Sequence, residues 1–453
     1  MTEADKAQGR LAAEAAGGGP IARLVLDLWQ RTRIDWGFVT DRLADAFRRE
    51  RRIGSAERRF ASETLYGMIR HLRRLDEALT AGGLRPGGPA PDRERLIAYL
   101  VLEGGLEPRD AARHAPAIDW QKVAGIDRQL ERIKDPARRI ARLRSLPDWL
   151  AERLVAERGA DEADRLAAAL GERAPMTVRA NSLRNTPAEL VAELAAEGIT
   201  AHPGQLAAAA VHIDTRSNLF ATSAFKAGRF EAQDEGSQLI AELVAPPPRS
   251  RVVDYCAGAG GKTLALAAQM ASAGRIAACD VDRRKLAELK KRARRAGASN
   301  IESIELDGDG LPPALRSLER GAARVLVDAP CSGIGALRRN PEARWRLDPA
   351  DLQRMPELQL AIARRALDLV APGGRLVYAT CTLLRAENQA VVERLLAENA
   401  DLSIVAPKEI WSAARAAPLT DATGAFMELL PHRHGTDGFF AAVLRRRPAD
   451  APS

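Results

Sequence analysis

After Pro246-Pro247-Pro248 the chain takes up a rhythm that few folds accommodate. Short β-branched runs alternate with helical stretches. The runs are Arg251–Asp254, Arg275–Asp280, Ser303–Leu306, Arg324–Asp328 and Arg375–Thr380, with helical periodicity over 262–272, 283–296, 351–370 and 387–399. Such alternation predicts an α/β fold, a parallel sheet with helices on both faces. A last run, Gly438–Leu444, follows Asp437 and predicts a further strand.

The first strand leads into Cys256-Ala257-Gly258-Ala259-Gly260-Gly261-Lys262-Thr263. Three glycines there let the backbone approach a ligand at a helix N-terminus. The ending Gly-Lys-Thr imitates a P-loop, but a P-loop needs glycine five positions before Gly261, where Cys256 stands. A P-loop NTPase is thereby excluded. The next strands end in Asp280, Asp307-Gly308 and Asp328. Any one of these acids reads as a cap or turn residue. Three of them after one Gly-rich loop suit a ligand with ribose hydroxyls, an adenine amine and a positive centre.

The four cysteines are Cys256, Cys279, Cys331 and Cys381, with no C-x-x-C spacing. A structural zinc site or a disulfide framework is not expected. Cys331, in Asp328-Ala329-Pro330-Cys331-Ser332-Gly333, and Cys381, in Thr380-Cys381-Thr382, follow the fourth and fifth strands. Ligands bind at the carboxyl ends of such strands, so two thiols and Asp328 are expected at one edge of a cleft. Cys256 and Cys279 read as packing residues or backbone ligands.

Upstream, the pattern is helical from Ile21 to about Arg144, with Ser55 as an expected helix cap. The expected organisation is a mobile tail over 1–20, an all-helical domain over 21–143, a small α+β segment over 144–230, a catalytic domain over 231–447 and a tail over 448–453. Formal net charge is +8. Residues 1–150 hold 28 Lys+Arg against 22 Asp+Glu, a net of +6. That excess suggests nucleic acid, although an Arg-rich composition with only 9 lysines weakens the signal. No apolar run reaches a membrane span, and the N-terminus lacks a signal-peptide core. The expectation is a cytoplasmic, monomeric protein without metal.

These motifs together resemble the RNA cytosine-5 methyltransferases of the Sun or RsmB-like group. The likeness rests on the loop Cys256–Thr263, Asp280, Asp307, Asp328–Gly333, Gly335, Arg338-Arg339-Asn340-Pro341, Trp345, Thr380-Cys381, Glu387-Asn388 and Asp437–Phe440. Arg179-Ala180-Asn181 and Gln233–Ser237 add to it, and it covers about residues 145–446. The segment Ser55–Arg70 resembles part of a NusB-like RNA-binding domain. Two positions depart from the pattern. Gly258-Ala259 stand where the family loop carries Ala-Pro, which removes a fixed φ, and Thr382 stands where it carries Ser.

The resemblance implies a Rossmann-like methyltransferase sheet that binds S-adenosylmethionine through Cys256, Ala257, Gly258, Ala259, Gly260, Gly261, Lys262, Asp280, Asp307 and Asp328. It implies Cys381 as nucleophile toward cytosine carbon 6, with Cys331 assisting proton removal or product release. Asp328 would bond the ring at N3 and the exocyclic amine. Lys262 would orient the base or lower a thiol pKa. Arg338, Arg339, Arg344 and Arg346 are the expected RNA contacts, and the basic helix 283–296 a weaker one. The expected product is 5-methylcytosine in RNA, in 16S small-subunit rRNA before tRNA or large-subunit rRNA. A non-catalytic ribosome-assembly factor on the same fold is the competing class, and the presence of both thiols argues against it.

Overall fold

The computed structural model describes residues 3–50, 52–85, 91–215, 217–307 and 310–449. Gly308, residues 86–90 and the end of the 448–453 tail lie outside the described residues. The chain forms two compact units, Met1–Arg173 with Leu337–Pro349, and Ala174–Ala336 with Ala350–Ser453.

The first unit is helical. Its helix Ser55–Arg70 buries Phe60, Thr64, Leu65, Met68 and Ile69 at three- and four-residue spacing. The N-cap is Gly54 rather than the expected Ser55. The Glu57 carboxylate accepts the Gly54 N–H at 2.6 Å, which moves the helix start back by one residue. The expected tail is also corrected. Residues Glu3–Ala16 form a helix, and Ala12, Ala15 and Ala16 are buried in the core of this unit. Alanine costs no side-chain entropy in a helix, so an Ala-rich stretch that looks like a tail can fold. The chain turns at Gly17–Gly19, before the next helix, Pro20–Asp35.

The helices Asp148–Arg158 and Ala160–Leu170, expected in the α+β segment, belong to this helical unit. Arg144 ties them to it through a two-pronged pair with Asp164, at 2.9 and 3.2 Å. Residues 337–349, expected within the catalytic domain, also complete the helical unit. Arg344 is fully buried there and donates to the carbonyls of Arg70, Ser145 and Leu170, and Trp345 donates to that of Ile69.

The second unit opens with a four-stranded antiparallel sheet. Its strands are β1 (Met176–Ala180), β2 (Ala201–Pro203), β3 (Ala210–Ile213) and β4 (Phe230–Ala232), in the order β2-β3-β1-β4. The helix Pro187–Ala196 buries Leu190 and Leu194 among Val178, Val211 and Phe230.

The larger sheet holds β5 (Arg251–Asp254), β6 (Arg275–Asp280), β7 (Ile301–Glu305), β8 (Ala322–Asp328), β9 (Val370–Thr380), β10 (Leu402–Ile404), β11 (Met427–Leu429) and β12 (Phe439–Arg446). The order is β10-β12-β9-β8-β5-β6-β7, with β11 on β12. Strands β5 to β9 pair in parallel, and β12 runs antiparallel to β9. The central strands are buried on both faces, for example at Val252-Val253, Ile276–Ala278, Val325–Val327 and Leu376–Ala379. That is why they read as continuous apolar runs rather than alternating ones. Strand order reverses at β5, and the carboxyl ends of β5, β6, β8 and β9 meet around that point. No described helix is long and apolar enough to cross a membrane.

Candidate active site

The loop after β5 is shaped by its glycines. Gly258 and Gly260 adopt positive φ, 54° and 85°. A Cβ on Gly260 would lie 2.7 Å from Leu289 Cγ, whereas one on Gly258 would meet nothing within 4 Å. The loop is therefore packed behind and open in front. Asp280 closes it from β6, with one oxygen accepting the Gly258 N–H at 2.7 Å and the other the Asp282 N–H at 2.8 Å. Arg292 donates to the Ala259 carbonyl at 2.8 Å.

Asp254, at the end of β5, was not among the residues expected from sequence. It is buried, and Thr263 donates to one oxygen at 2.7 Å. The other oxygen, Oδ1, has no partner. Burial pushes this carboxyl up to about 7, and Asp328 and Asp280 add to the effect. Val281, also missed, follows Asp280 and is 74% exposed. An exposed apolar side chain beside a strand-end acid is a surface on which a flat ring can stack. Asp307 lies exposed just past β7. An open glycine cradle, an orphan acceptor, strand-end acids and an apolar shelf fit a nucleoside-bearing, cationic methyl donor.

Lys262 leaves the first turn of the helix Gly261–Gln269 and meets Asp328, at the end of β8, at 2.6 Å. Burial favours the neutral amine, but the Asp328 carboxylate outweighs it, and the Lys262 pKa is raised. The ammonium also lies 5.8 Å from the Phe439 ring centroid.

Strands β8 and β9 are neighbours, with Asp328 opposite Ala379. Their ends bring the two expected thiols together, Cys331 Sγ standing 3.4 Å from Cys381 Sγ. The turn after Cys331 lies flat on its surroundings. Gly335 donates to the Cys381 carbonyl at 2.9 Å, and its own carbonyl accepts from Gly438 at 2.9 Å. A Cβ on Gly335 would come within 2.1 Å of the Gly438 oxygen, so close approach demands glycine here. The hydrogen bond with Cys381 and burial raise the Cys331 thiol well above its ordinary value. Burial raises Cys256 and Cys279 as well, which suits packing residues.

Beneath the thiols lies a polar knot that the sequence did not disclose. Glu387 and Gln359 are fully buried. Glu387 accepts from the Ser332 N–H (2.9 Å), the Ser332 hydroxyl (2.6 Å) and the Gln359 amide (2.9 Å). Gln359 also donates to the Pro330 carbonyl at 3.0 Å. Thr380 donates to Asn388, whose amide donates to the Thr382 carbonyl at 3.1 Å. Glu387-Asn388 were visible only as part of a resemblance, and nothing in the sequence marks Gln359.

The four arginines expected to contact RNA differ in exposure. Arg344 is withdrawn, because a fully buried guanidinium spent on three carbonyls cannot reach RNA. Arg338 is buried, with its guanidinium on the Arg173 carbonyl at 3.5 Å. Arg339 is half-buried, and Arg346 is exposed, its guanidinium over the Phe38 ring. All four belong to the helical unit rather than to the unit that carries Cys331. The helix Arg283–Ala296 is also partly spent. Arg292 and Arg295 pair with the buried Glu231, and Arg283 pairs with Glu305. Among the described residues no cluster of three or more His, Cys, Asp or Glu could hold a metal ion.

The sequence pattern of the family described as 16S rRNA methyltransferase RsmB/F matches residues 241–445. That of a ferredoxin-like domain of RsmF/B-like methyltransferases matches residues 146–219. A probable ribosomal RNA small subunit methyltransferase B from Bacillus subtilis is 33% identical over 416 residues, 87% of this chain and 92% of its own. A probable ribosomal RNA small subunit methyltransferase B from Synechocystis is 30% identical over 430 residues, 90% of this chain and 95% of its own. The crystal structure of PH0851 is alike in fold, with a TM-score of 0.72 at 24% identity, over 98% of this chain and 99% of that one.

Proposed function

The chain belongs to the RsmB/F family of rRNA methyltransferases, and from that premise we propose that it makes 5-methylcytosine in 16S rRNA through a covalent bond between Cys381 and carbon 6 of the target base. The observation that carries the reading is the meeting of two thiols, 3.4 Å apart, beside a half-buried Lys262–Asp328 pair of 2.6 Å.

Carbon 5 of cytosine is too weak a nucleophile to take a methyl group unaided. Covalent addition divides the step into easier ones. The Cys381 sulfur gives up its proton and adds to carbon 6, the displaced electron pair passes toward N3, which takes up a proton that it returns when Cys381 departs, and carbon 5 becomes enamine-like. S-adenosylmethionine supplies an electrophilic methyl group at that carbon. The chain's residues that would hold it are the Cys256–Gly261 backbone, Asp254, Asp280, Asp307 and Val281. After methylation the proton on carbon 5 leaves to a base, its electron pair restores the double bond, and Cys381 departs with the pair of the carbon–sulfur bond. Cys331, held as a thiol beside Cys381, assists that departure by donating a hydrogen bond to the leaving sulfur. Asp328 binds N3 and the exocyclic amine of the base, and Lys262 fixes Asp328 for that contact.

The target must leave its stack to reach these groups, which costs least in a loop or an unfolded RNA. Arg346 and Arg339 remain the candidates for phosphate contact. The test is incubation of wild-type protein and Cys381→Ala with methyl-labelled S-adenosylmethionine and unmodified total RNA. The account expects labelled 5-methylcytosine in small-subunit rRNA, and none with the variant. Label in tRNA or large-subunit rRNA would move the substrate. Confirmed donor binding without label in any RNA or ribosomal particle would favour a non-catalytic role.

A further inference from the structure

Two cysteines in contact pose a question of identity, because something must make one of them the nucleophile and the other its helper. The answer lies in the knot beneath them. Glu387 is fully buried, yet no Lys, Arg or His side chain is hydrogen-bonded to it among the described residues; its donors are the Ser332 N–H, the Ser332 and Thr382 hydroxyls and the Gln359 amide. The Thr382 hydroxyl lies 3.1 Å from the same Glu387 oxygen as Ser332 and 2.7 Å from the Ser332 hydroxyl. Ser332 follows Cys331 and Thr382 follows Cys381, so this one carboxylate is joined to the residue after each thiol. Lys262, paired with Asp328, has a raised pKa that owes part of its shift to Cys381.

We infer that Glu387 is the positioning residue that assigns the two thiols their roles. Its carboxylate locks the Cys331 turn to the Cys381 strand end, and its buried charge adds to the Cys381 hydrogen bond and to burial in keeping Cys331 as the protonated donor of the pair. Both Cys381 and Glu387 act electrostatically on Cys331, and Cys331 in turn acts on Tyr378. Tyr378 donates to the Glu387 carbonyl at 2.6 Å and is itself held neutral by burial, so it brings no charge. Cys331 is thus a hydrogen-bond donor toward Cys381 and is unavailable as a competing nucleophile. The inference rests on the cytosine-5 reading for its purpose, but not for its test.

Glu387→Gln separates the charge from the lock. The glutamine oxygen can accept from Ser332 N–H and Gln359, and the Ser332 and Thr382 hydroxyls can rotate to accept from its amide. Ser332→Ala is the complement, weakening the lock and keeping the charge. In the full-length protein without RNA, iodoacetamide labelling of the Cys331 peptide is followed against pH by mass spectrometry. Loss of a nearby like charge should move the Cys331 profile down by about one pH unit in Glu387→Gln, with Tm preserved within a few degrees. Ser332→Ala should leave that profile in place and slow methyl transfer. An unmoved Cys331 profile in folded Glu387→Gln overturns the inference, as does an equal shift in Ser332→Ala. If Glu387→Gln does not fold, the Ser332→Ala arm decides alone, and a downward shift there overturns it. Labelling requires neither RNA nor methyl donor, so a chain that never methylates RNA leaves this result readable.

Discussion

Single residues carry opposite burdens in this site. Asp254 is an acid held where a neutral group would be more comfortable, at a pKa of about 7 against an ordinary 3.8. A folded pKa above the unfolded one means the native state binds the proton more tightly. This group's contribution to stability is therefore fully present below about pH 4 and is lost as pH rises through 7. Relative to Asp254→Asn, the Tm of the wild-type protein should fall across that window, and a constant gap between the two melting curves would contradict the assignment. Gly260 carries a steric burden instead. Gly260→Ala combines a φ of 85° with a 2.7 Å approach to Leu289 and should lose about 1–3 kcal/mol in denaturant unfolding. Gly258→Ala meets no atom and should lose less, while narrowing the open face of the loop and weakening donor binding measured by calorimetry.

At the scale of elements, the large sheet was legible because parallel strands covered on both faces must be apolar throughout, and their acids can only stand at the ends. Strands β5, β6 and β8 ended at Asp254, Asp280 and Asp328 as expected. The short edge strands β10 and β11, three residues each, were not legible, because pairing with β12 rather than local pattern defines them. The thiol pair was legible from the neighbourhood of two strand ends, but the Glu387 knot was not. A buried carboxylate satisfied by Ser, Gln and backbone donors has no sequence signature. The basic helix Arg283–Ala296 misled for a related reason, since composition cannot tell a charge facing water from one paired across an interface. Glu231 on β4 is buried and holds both Arg292 and Arg295. Glu231→Ala should cost about 3–5 kcal/mol in urea unfolding, because it strands two partly buried cations. Glu305→Ala, removing an exposed partner of Arg283, should cost well under 1 kcal/mol.

For the whole molecule, part of the arginine content that pointed to nucleic acid is engaged in ion pairs inside the helical unit, which leaves the net charge unchanged. Arg74 is bound by Asp127 and Glu103, Arg95 by Asp76 and Asp92, and Arg73 by Asp148. That unit also needs a piece of chain from far along the sequence. Residues 1–173 made alone lack Arg344 and Trp345, and leave the carbonyls of Arg70, Ser145, Leu170 and Ile69 without those donors. The fragment should melt at a lower temperature than the same fragment fused to residues 337–349 through a flexible linker. The catalytic unit, by contrast, gathers its own strand-end acids, loop and thiols. The central claim is that Cys381 becomes covalently bound to the RNA and that Cys331 is needed for its release. The most direct measurement is denaturing electrophoresis of Cys331→Ala after incubation with unmodified small-subunit rRNA and S-adenosylmethionine, followed by peptide mapping. The account predicts a protein–RNA species that survives denaturation, is joined through Cys381 and is absent from the Cys331→Ala/Cys381→Ala double variant. Normal turnover by Cys331→Ala, or attachment at any other residue, would contradict it.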